Sequence, residues 1–248
     1  MRSSREASGW PWLPRSMSLR SVYLFEPPVT NDRIQIGGEE HRHLVVARAE
    51  PGEIIEIFDG NGKVWTAVVE TAGKRETVAR VKESRTVPRD RLDLILGLAL
   101  IRMPAFELAL EKAVEVGVTR IVPFTADRSN LAPGRRHDRW MRILIEAAKQ
   151  SKRYYFPSLD DAVAFEQVLA FPAASKIMFA ERDGGPLKSA LEGSPVLCLV
   201  GPEGGWTDRE LSAARDSGFH AVSLGAAILK AETAAIVGAS LIRYELGK

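Results

Sequence analysis

The chain has 248 residues, 45% of them hydrophobic and 27% charged, which is enough for one large domain or two small ones. That balance excludes a disordered chain. The single cysteine, Cys198, excludes an intramolecular disulfide, and no apolar run is long enough to span a bilayer, so no membrane partner is expected. A net charge of +2 leaves the distribution of charge more informative than its sum. The first residues are basic, rich in Ser and Pro, and lack the apolar core of a secretory signal. We read residues 1–19 as a disordered N-terminal extension and Met17 as the native start.

Residues 20–88 read as a small β-rich domain. Glu39 to Ala49 suits a short helix ended by Pro51-Gly52. Ile54–Phe58 and Lys63–Val69 are apolar strands joined by Asp59-Gly60-Asn61-Gly62, a turn cluster whose glycines tolerate positive φ. Thr77–Lys82 alternates as a half-buried strand should. A compact barrel of short strands accommodates such a segment. Thr86–Arg91 is polar and contains a proline, and we place the linker there.

Residues 89–248 change pattern. Leu92–Leu100 is a buried strand. Pro104 suits the first turn of a helix with Phe106, Leu110, Ala113 and Val114 on one face and Gly117 past its end. Arg120–Phe124 is the next strand. Arg139–Ser151 is a helix with Trp140, Ile143, Leu144 and Ala147 at helical spacing. Lys176–Ala180 and Val196–Val200 are further buried strands. Thr207-Asp208-Arg209-Glu210 is a capping box that opens a helix to about Ser217. Ala221–Leu224 is a last strand and Ala231–Glu245 a last helix, stopped at Gly247. Strands alternating with helices predict an α/β domain with a mainly parallel sheet.

The sharpest local feature is Gly201-Pro202-Glu203-Gly204-Gly205, set between a buried strand and a capped helix. In open α/β sheets ligands bind beyond the carboxyl ends of strands, and glycines there let backbone groups approach a ligand. A tight turn with no ligand explains the same spacing equally well. A second glycine lies at another strand end, in Leu224-Gly225, with Lys230 and Glu232 where a helix begins; Glu232 there also suits the helix dipole alone. Between Asp127 and Arg153 eight Lys/Arg face three acids, with Trp140, Tyr154 and Tyr155 close in sequence. Such a run suits a phosphate backbone and exposed bases, or simply a solvated basic helix face. There is no G-x-G-x-x-G, no Walker-type loop and no cysteine pair, and His41, His43, His137 and His220 lack zinc-ligand company. His41 and His43 are read as surface or RNA-facing residues, Cys198 as core, and no metal is expected.

These motifs together resemble the SPOUT methyltransferases and, more narrowly, their RsmE subfamily. The matching strings are Gly201–Gly205 with Glu210, Leu224-Gly225 with Ile228–Ala234, Glu111–Val118, Arg128-Ser129, Glu146–Arg153, and Gly38–Leu44 with the Asp59-Gly60 hairpin. The resemblance implies a C-terminal SPOUT domain with a deep trefoil knot, preceded by a PUA-like RNA-binding β-barrel. It implies S-adenosylmethionine as cofactor, methylation of N3 of a uridine in 16S ribosomal RNA of the small subunit, a homodimer, a cytoplasmic location and no DNA partner. Loops at Leu199, Val200, Gly201, Pro202, Glu203, Gly204, Gly205 and at Leu224, Gly225, Ala227, Ile228, Leu229, with Thr233, would cradle the cofactor. Lys230 and Glu232 would lie near the methyl site, with Arg128 as a uracil or RNA contact. His41, Arg42, His43, Arg135, Arg136 and Arg153 would meet RNA. Ala227 and Lys230 stand where the subfamily usually has arginine; lysine keeps the charge and loses the planar fork. Other readings are an inactive ribosome-binding relative, an enzyme acting on transfer RNA, and an unrelated nucleotide-binding α/β protein.

Overall fold

A computed structural model describes residues 19–129, 136–181 and 184–247. Residues 1–18 and Arg135 therefore lie outside the described residues.

The first unit is a six-stranded sheet made by β1 (Arg20–Tyr23), β2 (Val29–Thr30), β3 (Arg33–Ile36), β4 (Ile54–Phe58), β5 (Lys63–Ala72) and β6 (Thr77–Thr86). Helix α1 (Gly38–Val46) packs on it through Leu44. The strand order is β1-β4-β5-β6-β3-β2, antiparallel except for β1 beside β4. Period-2 burial explains β3, where Ile34 and Ile36 point inward and Arg33 and Gln35 outward. The expected β4–β5 hairpin is present. Asp59 Oδ1 accepts from the backbone N–H groups of Asn61 (2.8 Å) and Lys63 (3.0 Å), an Asx turn that sets the register.

The second unit is a parallel sheet with helices on both faces. Its strands are β7 (Leu94–Ala99), β8 (Arg120–Thr125), β9 (Ser158–Leu159), β10 (Val163–Ala164), β11 (Ser175–Phe179), β12 (Val196–Val200) and β13 (His220–Val222). The order is β10-β8-β7-β12-β11-β13, with β9 also on β8, and every ladder is parallel. β7 and β12 are buried throughout, as strands covered on both faces must be. Leu94, Leu96 and Leu98 pack with Phe106 of α2 (Met103–Val116), Trp140 of α3 (His137–Ser151) and Ala235 of α6 (Ala231–Leu246). Ile95 and Ala99 face the opposite layer, with Phe165 of α4 (Phe165–Leu169) and Ala214 of α5 (Asp208–Asp216). Pro104 sits in the first turn of α2, and Gly117 closes it at φ 94°. The α/β fold with a mainly parallel sheet and a preceding PUA-like unit is as expected. Not foreseen were β1 to β3, β9, β10, α4 and a 3-10 turn at Leu187–Ala190, all short elements.

The two units dock through the basic run, and this corrects its reading. The Lys149 ammonium, side chain only 11% exposed, donates to Glu40 and Glu146 at 2.9 Å each. Lys152, at φ 57°, donates to Leu19 O and Ser21 Oγ at 2.6 Å and to Glu56 at 3.2 Å. Arg139 pairs with Glu107. Arg153, expected to meet RNA, is half-buried and donates to Glu115 O and Val116 O at the end of α2; burial lowers its pKa from the ordinary value. Lys149, Lys152 and Arg153 thus engage carboxylates and helix-end carbonyls at the joint, while Arg139 stays exposed beside Glu107. Tyr23, Phe58 and Phe156 form an aromatic cluster across the same joint, with ring centroids 4.7–5.8 Å apart. Phe156 N–H donates to Gly60 O and Gly62 N–H to Tyr154 O. A Cβ on Gly60 would lie 2.7 Å from the Phe156 ring, so the turn glycine also permits this docking.

His41 needs the same correction. It is buried, and its Nδ1 lies 3.0 Å from Thr77 Oγ1, so it braces α1 against β6 and is not exposed to RNA. His43 is partly exposed beside Glu40 and Glu146. The ligand atoms of these three residues lie within 4.8 Å of one another, but the Lys149 ammonium already bridges the two carboxylates. Arg42 and Arg136 are exposed. Among the described residues no helix is long and apolar enough to cross a membrane.

Candidate active site

Strands β12, β11 and β13 are neighbours, and their carboxyl ends open into one cleft of about 530 Å³. The loop after β12 contributes Val200, Gly201, Pro202, Gly204 and Gly205. The segment after β13 contributes Ser223, Leu224, Gly225, Ala227 and Leu229. The two glycine-bearing stretches, 24 residues apart from Gly201 to Gly225 in the numbering, thus meet because β11 alone separates their strands.

The loop after β12 is braced from several sides. Arg128 Nη1 donates to Gly204 O at 2.8 Å and to Trp206 O at 3.4 Å. Glu210 is fully buried, and its carboxylate accepts from Asp127 N–H (2.9 Å) and Thr207 N–H (2.8 Å), with Thr207 Oγ1 at 2.9 Å. The predicted capping box is therefore also a tie between the β8 end and the loop. Thr207 Oγ1 lies 2.9 Å from Asp127 as well, and Arg209 beside Asp127 holds that carboxyl below its ordinary pKa. Trp206 donates its indole N–H to Phe179 O at 2.8 Å and stacks on Phe124. A Cβ on Gly201 would lie 2.8 Å from the Trp206 ring, so glycine is needed for the close approach.

Several residues named from sequence stand elsewhere. Leu199 is fully buried core and does not line the cleft. Glu203 is exposed and accepts from the Arg102 backbone N–H at 3.0 Å, at the start of α2. Ile228 is 77% exposed outside the lining. Lys230 is the exposed N-cap residue of α6, with Glu232 and Thr233 in its first turn; none of the three lines the cleft, although Leu229 and Ala234 on either side do. Arg128 does line it, with its guanidinium on loop carbonyls. Sequence reasoning missed Phe179, Ala180 and Glu181 after β11, Trp206, and Asp208 and Leu211 of α5. The strand-end rule applied to Lys176–Ala180 would have found the first three, had the strand order been known. Cys198 is buried within β12, and burial pushes its thiol up to about 12.

A family model described as an RNA methyltransferase domain matches residues 88–243, and one described as an RNA methyltransferase PUA domain matches residues 36–82. The chain belongs to this RNA methyltransferase family. Among curated relatives, the ribosomal RNA small subunit methyltransferase E of Synechocystis is 33% identical over 79% of this chain and 68% of its own length. Its namesake in Mycobacterium bovis is 31% identical over 87% of each chain. Among solved structures, a ribosomal RNA small subunit methyltransferase E from Neisseria gonorrhoeae, bound to S-adenosyl methionine, superposes with a TM-score of 0.86 at 29% identity, over 93% of this chain and 99% of that one. A methyltransferase from Legionella pneumophila in complex with the same cofactor superposes with a TM-score of 0.87 at 26% identity, over 94% of this chain and 100% of that one.

Proposed function

We propose that this protein is an S-adenosylmethionine-dependent methyltransferase of small-subunit ribosomal RNA, acting at N3 of a uridine. The observation that carries the reading is the glycine-built cleft at three adjacent parallel strand ends. Its residues fit the cofactor. Val200, Val222, Leu224 and Leu229 offer an apolar slot for a nucleoside, while Gly201, Gly204, Gly205 and Gly225 leave backbone groups uncovered at its edge. Gly225, at φ 130°, has no heavy atom within 4 Å of where a Cβ would stand, so its backbone is open to a ligand.

Bound S-adenosylmethionine supplies an electrophilic methyl carbon on a sulfonium. The protein's part is to hold the acceptor in line with it and to exclude competing water. Uracil N3 becomes nucleophilic on losing its proton, and negative charge then spreads to the flanking carbonyl oxygens. We assign the stabilisation of that charge to the Lys230 ammonium, which stands at the start of α6 beside the cleft-lining Leu229. Glu232 orients Lys230 or receives the N3 proton. Arg128 acts on the loop carbonyls, and the exposed Arg42, Arg136 and Arg142 supply phosphate contacts.

The fold reading includes the trefoil knot, a homodimer and a cytoplasmic location. Leu108 on α2 and Leu241 on α6, each 40% exposed, offer an apolar face for a second copy. Sedimentation velocity should give a dimer; a monomer at working concentration contradicts that part. For the activity, purified protein with small subunits from a deletion strain should transfer labelled methyl to one uridine. Transfer to no ribosomal RNA, or to transfer RNA instead, overturns the substrate reading.

A further inference from the structure

The cleft has walls from the β12 and β13 loops, and its floor comes from the strand between them. Phe179 of β11 is paired with Val222 of β13, and Met178 with Leu199 of β12. Glu181, two residues past the strand, therefore emerges midway between the two loops, and it lines the cleft. It is exposed, and among the described residues no hydrogen bond or ion pair engages its carboxylate. The other charged lining residues are already explained. The Arg128 guanidinium is held by Gly204 O and Trp206 O. Asp208 opens α5, where a carboxylate favours the helix dipole.

The geometry points to Glu181 as a cofactor-holding residue, whose carboxylate engages a hydroxyl, amine, ammonium or sulfonium group of S-adenosylmethionine. The inference rests on the cofactor reading above and names a residue that the glycine motifs do not. A carboxylate just past a strand end of a parallel sheet is suited to a vicinal diol, which it engages with both oxygens. The methionyl ammonium and the sulfonium are the other positively polarised groups of the same ligand, and each attracts a carboxylate.

Calorimetry on the full chain separates these sources. Glu181→Gln keeps size and shape on an exposed side chain, and an unchanged melting curve checks the fold. Wild type and variant are titrated with S-adenosylmethionine, S-adenosylhomocysteine and 5′-methylthioadenosine. We expect S-adenosylmethionine affinity to fall about five- to tenfold, the scale of one ordinary hydrogen bond, because glutamine keeps an acceptor oxygen and loses the charge. A loss shared by all three ligands assigns the adenosine part, through its ribose hydroxyls or its adenine amine. A loss confined to the first two assigns the ammonium, and a loss for S-adenosylmethionine alone assigns the sulfonium. Equal affinities of variant and wild type for all three ligands overturn the role of Glu181. Wild type that binds none of the three overturns the cofactor reading itself, a distinct result.

Discussion

The loops after β12 and after β13 both line the cleft, but they are held in different ways. The first is tied to remote parts of the chain: Arg128 on its carbonyls, Glu203 on the start of α2, and the buried Glu210 between Thr207 and Asp127. In the second, Gly225 to Ile228 are exposed, and among the described residues its hydrogen bonds are Ser223 N–H to Gly185 O and those between Ser223 Oγ and Gly225. One wall is thus tied to remote elements before any ligand arrives, and the other carries only local ties. Preorganisation lowers the entropic cost of binding, so the two walls should respond differently to mutation and to ligand removal.

The largest expected effect is at Glu210. Glu210→Ala leaves the part-buried Asp127 and Thr207 N–H groups without their acceptor and should lower stability by about 2 kcal/mol, read from urea unfolding. A change below about 0.5 kcal/mol would show that the loop is not braced there. Gly201→Ala forces a Cβ against the Trp206 ring and should weaken S-adenosylmethionine binding about tenfold, the usual scale of a 1–3 kcal/mol steric clash. Arg128→Ala should weaken it roughly fivefold by releasing two loop carbonyls, with Arg128→Lys intermediate. If both Arg128 variants bind as wild type does while turnover collapses, the arginine belongs to the RNA step instead. The smallest effect is at Gly225→Ala, where the space is open and only the positive φ is strained. It should cost about 1 kcal/mol or less, because an unbraced loop relaxes. Hydrogen exchange sharpens the contrast: adding cofactor should protect 224–229 strongly and change 201–207 little. Equal protection of both would erase the distinction.

What the sequence revealed follows the same division. Long periodic elements such as α2, β7, β12 and α6 were legible because burial on one or both faces writes itself into the residue pattern. The glycine stretches at 201–205 and 224–225 were legible as backbone-exposing turns. Glu181 was not, because its place in the cleft comes from the order β12-β11-β13, which no local pattern encodes. The basic run from Asp127 to Arg153 misled for a related reason. Carboxylates that pair with part of it, Glu40, Glu56 and Glu107, lie in other elements, so the charge excess in the chain overstates the one on the surface. His41 failed likewise, since its partner Thr77 is 36 positions away.

If this cleft methylates the Watson–Crick face of one base in the small ribosomal subunit, that base blocks reverse transcription. Reverse-transcription mapping of small-subunit RNA from a deletion strain, with and without the restored gene, tests it most directly. The account predicts one strong stop that disappears on deletion, returns with the wild-type gene, and is weakened with Gly201→Ala. An RNA stop pattern identical in the presence and absence of the gene would contradict it.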